Sequence, residues 1–138
     1  MSRSVGTFKD TYNRLTRSSL SLLDDLYDES VLFEDPLHRI QGLPALRAYF
    51  QRLYADIHSC RFTFEAEVVQ DDQAVLTWIM HLHHARFHPG ELLHLPGATH
   101  IRFADKVVYH RDYFDVGALL YERVPLLGPL VRAIKSHL

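Results

Sequence analysis

Apolar residues in the first part of the chain recur at helical intervals. Phe8, Tyr12 and Leu15 are separated by four and then three residues, which predicts the buried face of a first helix. A second helix is expected to begin near Ser21, a residue type that caps helix starts, and to continue through LLDDLYDES. Gly42, followed two positions later by a proline, predicts a third helix in PALRAYFQRLYADI, because proline suits the first helical turn. The predicted apolar stripe of this helix is Leu46, Tyr49, Phe50 and Leu53.

Strand patterns dominate the chain that follows. The segment VLFEDP predicts a short strand that ends at Pro36, and CRFTFEAEVVQ alternates between apolar and polar positions with the period of two that strands show. Three further strands are predicted in QAVLTWIMHLHHARF, in LLHLPGATHIRF with an interruption at Pro96–Gly97, and in KVVYHRDYFDV. Helices first and strands afterwards predict an α+β fold with a mostly antiparallel sheet.

Two helical segments are predicted at the carboxyl end. VGALLYERV favours a short helix, and a break containing Pro125 and Pro129 separates it from the amphipathic segment LVRAIKSHL. We therefore expect one domain over residues 1–138, in which residues 125–138 form a helical carboxyl-terminal extension.

Composition excludes several classes of partner. The 138 residues carry 15 basic and 17 acidic side chains in a mixed pattern, so there is no concentrated basic face for a nucleic acid. One cysteine, Cys60, forms no internal disulfide, and no apolar run approaches the ~20 residues that a membrane span requires. The amino terminus lacks the apolar core of a signal peptide. We expect a soluble cytoplasmic protein without membrane association.

The last predicted strand places an acid and a histidine on one apolar face. If KVVYHRDYFDV is extended, Val108, His110, Asp112 and Phe114 share a face. A carboxyl group in such surroundings is a candidate general base, and His110 could orient it or pass on its proton. The alternatives are an ion pair of Asp112 with Arg111 or Arg102 or a helix cap, and a hydrogen-bonded core histidine at His110.

Three more polar residues are candidates for the same site. Tyr12 lies on the inner face of the first helix, Asp35 follows a predicted strand, and His81 lies on the long strand near its imidazole-rich end. Each has a plain structural alternative: a core tyrosine, a turn cap before Pro36, and a solvated histidine. Six of the ten histidines fall between His81 and His100, but no firm metal motif is present, and we predict neither a metal nor a cofactor.

The long strand also predicts a partner. Its even positions form a broad apolar surface that we expect on the outside of the sheet, where a second copy of the chain would cover it. The predicted homodimer interface is therefore formed by Trp78, Met80 and Leu82.

These elements together resemble the nuclear transport factor 2-like (SnoaL-like) superfamily over residues 5–122. The resemblance implies a cone-shaped, curved antiparallel sheet wrapped around the helices, with a deep hydrophobic pocket. Ketosteroid isomerase, a worked case of carboxyl tuning, is similar at EDP, which would make Asp35 the base and Tyr12 the oxyanion tyrosine. Its second oxyanion acid would fall near Thr99.

A second branch of the superfamily is similar at RDYFD. In limonene-1,2-epoxide hydrolase the water-activating aspartate would correspond to Asp112, and the asparagine that holds the water would correspond to Asp35. The arginine and aspartate that complete that site would be replaced here by Ile79 and His81. The resemblance therefore implies a hybrid of two sites and no complete copy of either.

The sequence favours a cofactor-independent isomerase or epoxide-hydrolase-like enzyme that acts on a small hydrophobic molecule such as a ketone, an epoxide, a polyketide or a lipid. Its predicted catalytic residues are Tyr12, Asp35, His81, His110 and Asp112, and its predicted substrate-binding residues are Phe33, Ile79, Thr99, Ile101 and Phe114. One alternative is a non-catalytic protein that binds a lipid-like ligand. Another is an interaction module that uses the carboxyl-terminal segment.

Overall fold

Six strands and four α-helices are present in the computed structural model, which describes residues 2–86, 89–121 and 128–138. The helices are α1 (Ser2–Arg14), α2 (Leu22–Leu26), α3 (Leu43–Ala55) and α4 (Gly128–Ser136), with a π-helical turn over Gly117–Tyr121. The strands are β1 (Tyr27–Glu34), β2 (Arg39–Gln41), β3 (Ile57–Gln70), β4 (Gln73–His84), β5 (Leu93–Phe103) and β6 (Val107–Phe114).

All six strands belong to one curved sheet in the order β2-β1-β6-β5-β4-β3. The predicted α+β fold is thereby confirmed, and four of its five strand pairs are antiparallel. The exception is β1, which runs parallel to β6 and makes the sheet mixed. A register shift between Phe64 and Glu67 marks an irregularity of the kind that bends strands. The parallel pair brings residues about 80 positions apart side by side, and the candidate site depends on it.

The first and third helices pack their apolar sides against the inner face of the sheet. Phe8 and Tyr12 of α1 and Leu46 and Phe50 of α3 are all less than one-tenth exposed, as their spacing predicts. Leu53 is 36% exposed because it lies where α3 reaches the edge of the core. The two helices and the sheet thus surround an interior that the strands alone would leave open.

The second helix is shorter than predicted. It ends at Leu26, and Tyr27 already has extended backbone with φ −103° and ψ 141°. Tyr27 and Val31 are fully buried, and both are needed in the core that the sheet covers. The helix therefore ends before Tyr27, because both side chains reach the core only when the backbone is extended. The segment Tyr27–Ser30 was expected to be helical, and that expectation is wrong.

The predicted interruption of β5 at Pro96–Gly97 is also absent. Pairing with β4 continues without a shift, with Pro96 opposite Ile79 and Gly97 opposite Trp78. Gly97 is needed for a close approach, since a Cβ atom there would lie only 2.3 Å from the indole ring of Trp78. The glycine makes room for the tryptophan and leaves the strand unbroken.

The face of β4 that was expected on the outside of the sheet is the inner face. Trp78 and Leu82 are buried, and both lie with Met80 along the inner cavity. They are therefore not available to a partner subunit, and the expectation that these three residues form an outer interface is wrong. The helices cover the inner face, so the larger apolar side chains are turned inward.

A homodimer through the outer sheet face stays a prediction, with different contacts. Outside positions on β4 include Val75, which is 43% exposed, and Ile79, which is opposite Pro96. We expect Ile79→Glu to turn a dimer into a monomer in light scattering, because a carboxylate cannot be buried there without a partner. A monomeric parent protein would contradict the predicted dimer.

The carboxyl-terminal helix is present, although part of its predicted segment lies outside the described residues. Residues 122–127 lie outside the described residues. Residues 87–88, near the end of the predicted long strand, also lie outside them. In α4 Leu130 and Ile134 are more than half exposed, and the ammonium group of Lys135 pairs with Asp115. Among the described residues, none of the helices combines the length and apolar character that crossing a bilayer requires.

Candidate active site

A cavity of about 470 Å³ lies between the inner face of the sheet and helices α1 and α3. Its volume is in the range that small-molecule sites occupy. The interior wall is aromatic and aliphatic, because the inward positions of four strands meet the buried sides of both helices. Its buried members are Tyr12, Phe33, Phe50, Tyr54, Trp78 and Leu82.

Asp112 is a carboxylate that strand β6 presents to this interior. Its Oδ1 accepts two short hydrogen bonds, one from the Thr99 hydroxyl at 2.6 Å and one with His110 Nε2 at 2.7 Å. Thr99 can donate to the carboxylate because its oxygen accepts from Trp78 Nε1 at 2.8 Å. The carboxylate is 19% exposed and borders the cavity. One oxygen is therefore fixed by the protein while the group as a whole remains open to a ligand.

Among the described residues, neither the arginine ion pairs nor the helix cap that were alternatives for Asp112 are formed, and the backbone N–H of Ala118 donates to Asp115. Arg111 lies 3.5 Å from Glu34, and Arg102 lies over the ring of Tyr109. Asp112 therefore forms no ion pair with either arginine. Its partners are His110 and Thr99, and both lie on the inner face of the sheet.

A chain of hydrogen bonds runs from Asp112 into the core. His110 is completely buried, and its Nδ1 lies 2.7 Å from the hydroxyl of Tyr27. The Tyr27 hydroxyl in turn lies 2.5 Å from that of Tyr12, which borders the cavity. Parallel pairing of β1 with β6, which sets Phe33 opposite His110, places Tyr27 within reach of the imidazole. Buried polar atoms of this kind cost free energy unless they are bonded, and all of these are.

The protonation of His110 decides the direction of this chain. If the imidazole is neutral with its proton on Nε2, it donates to Asp112 and accepts from Tyr27, which then accepts from Tyr12. If the imidazole is cationic, both nitrogens donate, and the order along the tyrosines reverses. Only in that second arrangement is the proton of Tyr12 free to bind an oxygen of a ligand.

The tyrosines around the cavity are held neutral. Burial raises the pKa of Tyr12, Tyr27 and Tyr54 well above the ordinary value, and the nearby negative charge of Asp112 raises it further. The pKa of Tyr49 is raised mainly by burial and then by Asp35. The phenols of this site therefore act as hydrogen-bond donors and acceptors, because ionisation inside the apolar core is strongly disfavoured.

These raised values predict a loss of stability in alkali. The folded-state pKa of the four phenols lies above that of the unfolded chain, so their contribution to stability is complete below pH ~10 and declines as the pH rises above it. We expect the phenolate absorbance of four of the seven tyrosines to appear only together with unfolding, as followed by circular dichroism. Smooth ionisation of all seven in a folded chain would contradict this prediction.

Asp35 is brought to the cavity wall but is already saturated with hydrogen bonds. Its carboxylate accepts from the backbone N–H groups of Leu37 and His38 at 2.8 Å and from the Tyr49 hydroxyl at 2.9 Å. The ring of His38 lies 3.0 Å away, and the side chain is only 7% exposed. The arrangement is the turn cap that the residue before a proline commonly forms. Asp35 therefore shapes the wall with little acceptor capacity left.

His81 and Ile79 do not join the site. Both occupy odd positions of β4 and lie on the outer face, where His81 bonds to Thr63 at 2.8 Å and to His94 at 2.7 Å. The expectation that His81 shares a pocket with Asp112 is wrong, because the inward positions of that strand are the even ones. Within residues 2–86, 89–121 and 128–138, no three His, Cys, Asp or Glu side chains are grouped to hold a metal ion.

The other predicted substrate-binding residues divide by depth. Phe33 and Phe114 border the cavity, as expected. Thr99 and Ile101 lie behind its wall, with exposed fractions of 2% and 0%. Thr99 therefore contacts Asp112 and does not border the open space.

Several residues of the site were missed at the sequence level. Tyr27 was assigned to a helix, Trp78 to the outer surface, and Cys60 was noted only for disulfides. Cys60 borders the cavity, and burial raises the pKa of its thiol to about 12, which a hydrogen bond with Tyr54 only partly offsets. The aromatic content of β1 and β3 was the available signal, since both segments alternate large apolar residues toward one face.

The mouth of the cavity is polar and carries two arginines. Arg52 lies in the last turn of α3, and Arg86 follows β4 and pairs with Asp56 at 3.3 Å. His84 is also at the mouth, where burial lowers the pKa of its imidazole. The arginines thus lie at the entrance, whereas the carboxylates of Asp35 and Asp112 lie along the wall inside.

Comparison with known proteins agrees with this fold. The chain is similar to a candidate SnoaL-like polyketide cyclase from Shewanella putrefaciens, with a TM-score of 0.74 and 16% identity over 91% of this chain and 98% of the other. It is also similar to a protein with a ketosteroid isomerase-like fold from Catenulispora acidiphila, in complex with trimethylamine, with a TM-score of 0.72 and 15% identity over 85% and 88% of the two chains.

Identities this low show the shared fold alone. A sequence search of curated proteins finds no match. The family comparison is more direct: the SnoaL-like domain matches residues 8–110, which include the second half of α1, helices α2 and α3, strands β1–β5 and the first part of β6 through His110. On that match the chain belongs to the SnoaL-like domain family, as its resemblance to the nuclear transport factor 2-like superfamily implies.

Proposed function

We propose that this protein is an acid–base enzyme that moves a proton on a small apolar carbonyl compound, with Asp112 as the base. The observation that carries the proposal is the position of Asp112, whose Oδ1 is fixed by Thr99 and His110 while the carboxylate borders a cavity of about 470 Å³. A fixed carboxylate in an apolar cavity is suited to take a proton from carbon, because water does not compete for it.

The hydrogen-bonded tyrosines provide a partner for this base. Removing a proton next to a carbonyl leaves negative charge on the carbonyl oxygen, and a neutral donor aimed at that oxygen stabilises it. With His110 cationic, the Tyr12 hydroxyl is free to donate, while Tyr27 keeps it in place at 2.5 Å. Asp112 then returns the proton at the original or a neighbouring carbon, which is an isomerase-type reaction.

Activation of water for epoxide opening has less support. It would require further polar groups beside Asp112, and the inward residues of β4 at that depth are Trp78, Met80 and Leu82. The candidate polyketide cyclases that share the fold also point to carbonyl compounds as the substrate class.

The proposal is tested by proton exchange. Apolar cyclic and linear ketones are incubated with the protein in deuterated water, and loss of the α-proton signal is followed by NMR. We expect exchange well above the rate in buffer for the ketones that fit the cavity. Exchange no faster than in buffer across the panel, with binding still detectable, would overturn the catalytic proposal.

That same result would favour the second candidate, a non-catalytic protein that binds a lipid-like ligand. The observation in its favour is that, among the described residues, the buried polar side chains have hydrogen-bond partners inside the protein, so the cavity offers mainly apolar contact. A stable complex without chemical change would be its signature.

A further inference from the structure

The two ends of the cavity differ in charge. In the interior the charge is negative, since the carboxylate of Asp112 lies there among aromatic side chains. At the mouth the carboxylate of Asp56 forms an ion pair with Arg86, so these two charges offset each other. The positive charge of Arg52 remains at the mouth. Asp35 is a second buried carboxylate of the cavity wall, and four donors surround it.

Arg52 is free to bind a ligand. It is exposed on the last turn of α3, and it forms neither a hydrogen bond nor an ion pair with the residues that the structure describes. It borders the cavity, so part of its side chain contributes to the wall while the guanidinium reaches solvent. A guanidinium in this position is suited to a carboxylate, which it can bind through two parallel hydrogen bonds.

The charges also fix the orientation of such a ligand. A carboxylate placed deep in the cavity would be repelled by Asp112 and would lose its hydration without a partner. A carboxylate at the mouth would meet Arg52 and keep contact with water. The apolar part of the molecule would then fill the interior, with its reacting carbon next to Asp112.

We propose that the substrate is an apolar carboxylic acid whose carboxylate binds Arg52 at the mouth of the cavity. This rests on the proposed function, since it takes the Asp112 cavity as the substrate site, and it narrows the substrate class to carbonyl compounds that also carry an acid group.

Binding is measured with decanoate and decanol, which share an apolar chain and differ in charge near neutral pH. Trp78 is the single tryptophan and lies in the cavity wall, so its fluorescence reports occupancy. A charge-assisted hydrogen bond corresponds to about tenfold to a hundredfold in affinity, and we expect decanoate to bind tighter than decanol by that factor. Equal affinities, tighter binding of decanol, or no binding of either compound would overturn the proposal.

Two substitutions with opposite effects separate the role of charge from simple damage to the cavity. Arg52→Gln should remove the preference for decanoate, whereas Asp56→Asn should strengthen decanoate binding, because it releases Arg86 from its ion pair. Arg17→Gln serves as the matched control, since Arg17 is exposed and does not border the cavity. An unchanged preference in Arg52→Gln would contradict the proposal, as would weaker decanoate binding in Asp56→Asn.

The proposed carboxylate site and the proposed catalytic role can be contradicted independently of each other. Asp112→Asn is expected to keep the preference for decanoate and to lose proton exchange, because the two groups lie at opposite ends of the cavity. A preference for decanoate without exchange of any ketone would leave the binding site standing and remove the catalytic role. Exchange of neutral ketones without a preference for decanoate would do the reverse.

Discussion

Replacing Asp112 with asparagine should reduce proton exchange by roughly 10²–10⁴-fold, the usual contribution of a positioned general base. The amide cannot take a proton from carbon, whereas its oxygen can still accept from Thr99 and His110 as Oδ1 does now, at 2.6 and 2.7 Å. The fold and the cavity should therefore survive. The measurement is the rate of α-proton exchange with the best ketone of the panel, compared at equal occupancy as judged from Trp78 fluorescence.

Asp105→Asn is the matched control for this substitution. Asp105 is exposed on the turn that leads into the same strand, so the change removes one charge without touching the cavity. The control should exchange at the parent rate. An Asp112→Asn variant that keeps full activity would rule out this residue as the base and leave the cavity as a binding site.

The second large effect is expected from Gly97→Ala, and it concerns stability. A Cβ atom at this position would lie 2.3, 2.6 and 2.8 Å from three carbons of the Trp78 ring. The ring has little room to move, because Thr99 holds its Nε1 at 2.8 Å and Phe62 packs against it at a centroid distance of 5.2 Å. We expect a loss of about 1–3 kcal/mol from overpacking, with a further loss of about 1 kcal/mol if the hydrogen bond breaks.

Urea unfolding followed by circular dichroism measures this loss. Gly6→Ala is a control of opposite sign, since Gly6 lies in α1 with nothing within 4 Å of the added carbon. It should stabilise the protein by about 0.5–1 kcal/mol, because alanine is favoured over glycine inside a helix. If Gly97→Ala unfolds at the same urea concentration as the parent, the ring of Trp78 is not packed closely against Gly97.

Gly97→Ala should also disturb the site at a distance. Trp78 donates to Thr99, and Thr99 donates to Asp112, so a displaced indole removes the hydrogen bond that orients one of the two donors to the carboxylate. Slower exchange in the folded variant would accordingly reflect a loss of positioning.

Local pattern alone determined a substantial part of this protein. Helical spacing identified the buried faces of α1 and α3 through Phe8, Tyr12, Leu46 and Phe50. The period of two in the last strand placed His110 and Asp112 on the same face, and they are hydrogen-bonded there. These predictions held because each depends on residues close together in the chain, whose relative direction is set by backbone geometry.

Only the tertiary structure decided which faces point inward and which distant residues meet. Alternation divides β4 into two faces without saying which is covered, and the helices cover the one with Trp78, so His81 lies outside. Tyr27 reaches His110, which lies 83 positions further along the chain, because β1 runs parallel to β6. The chemistry of the site depends on these long-range contacts, since burial and hydrogen-bond partners arise from packing and not from local spacing.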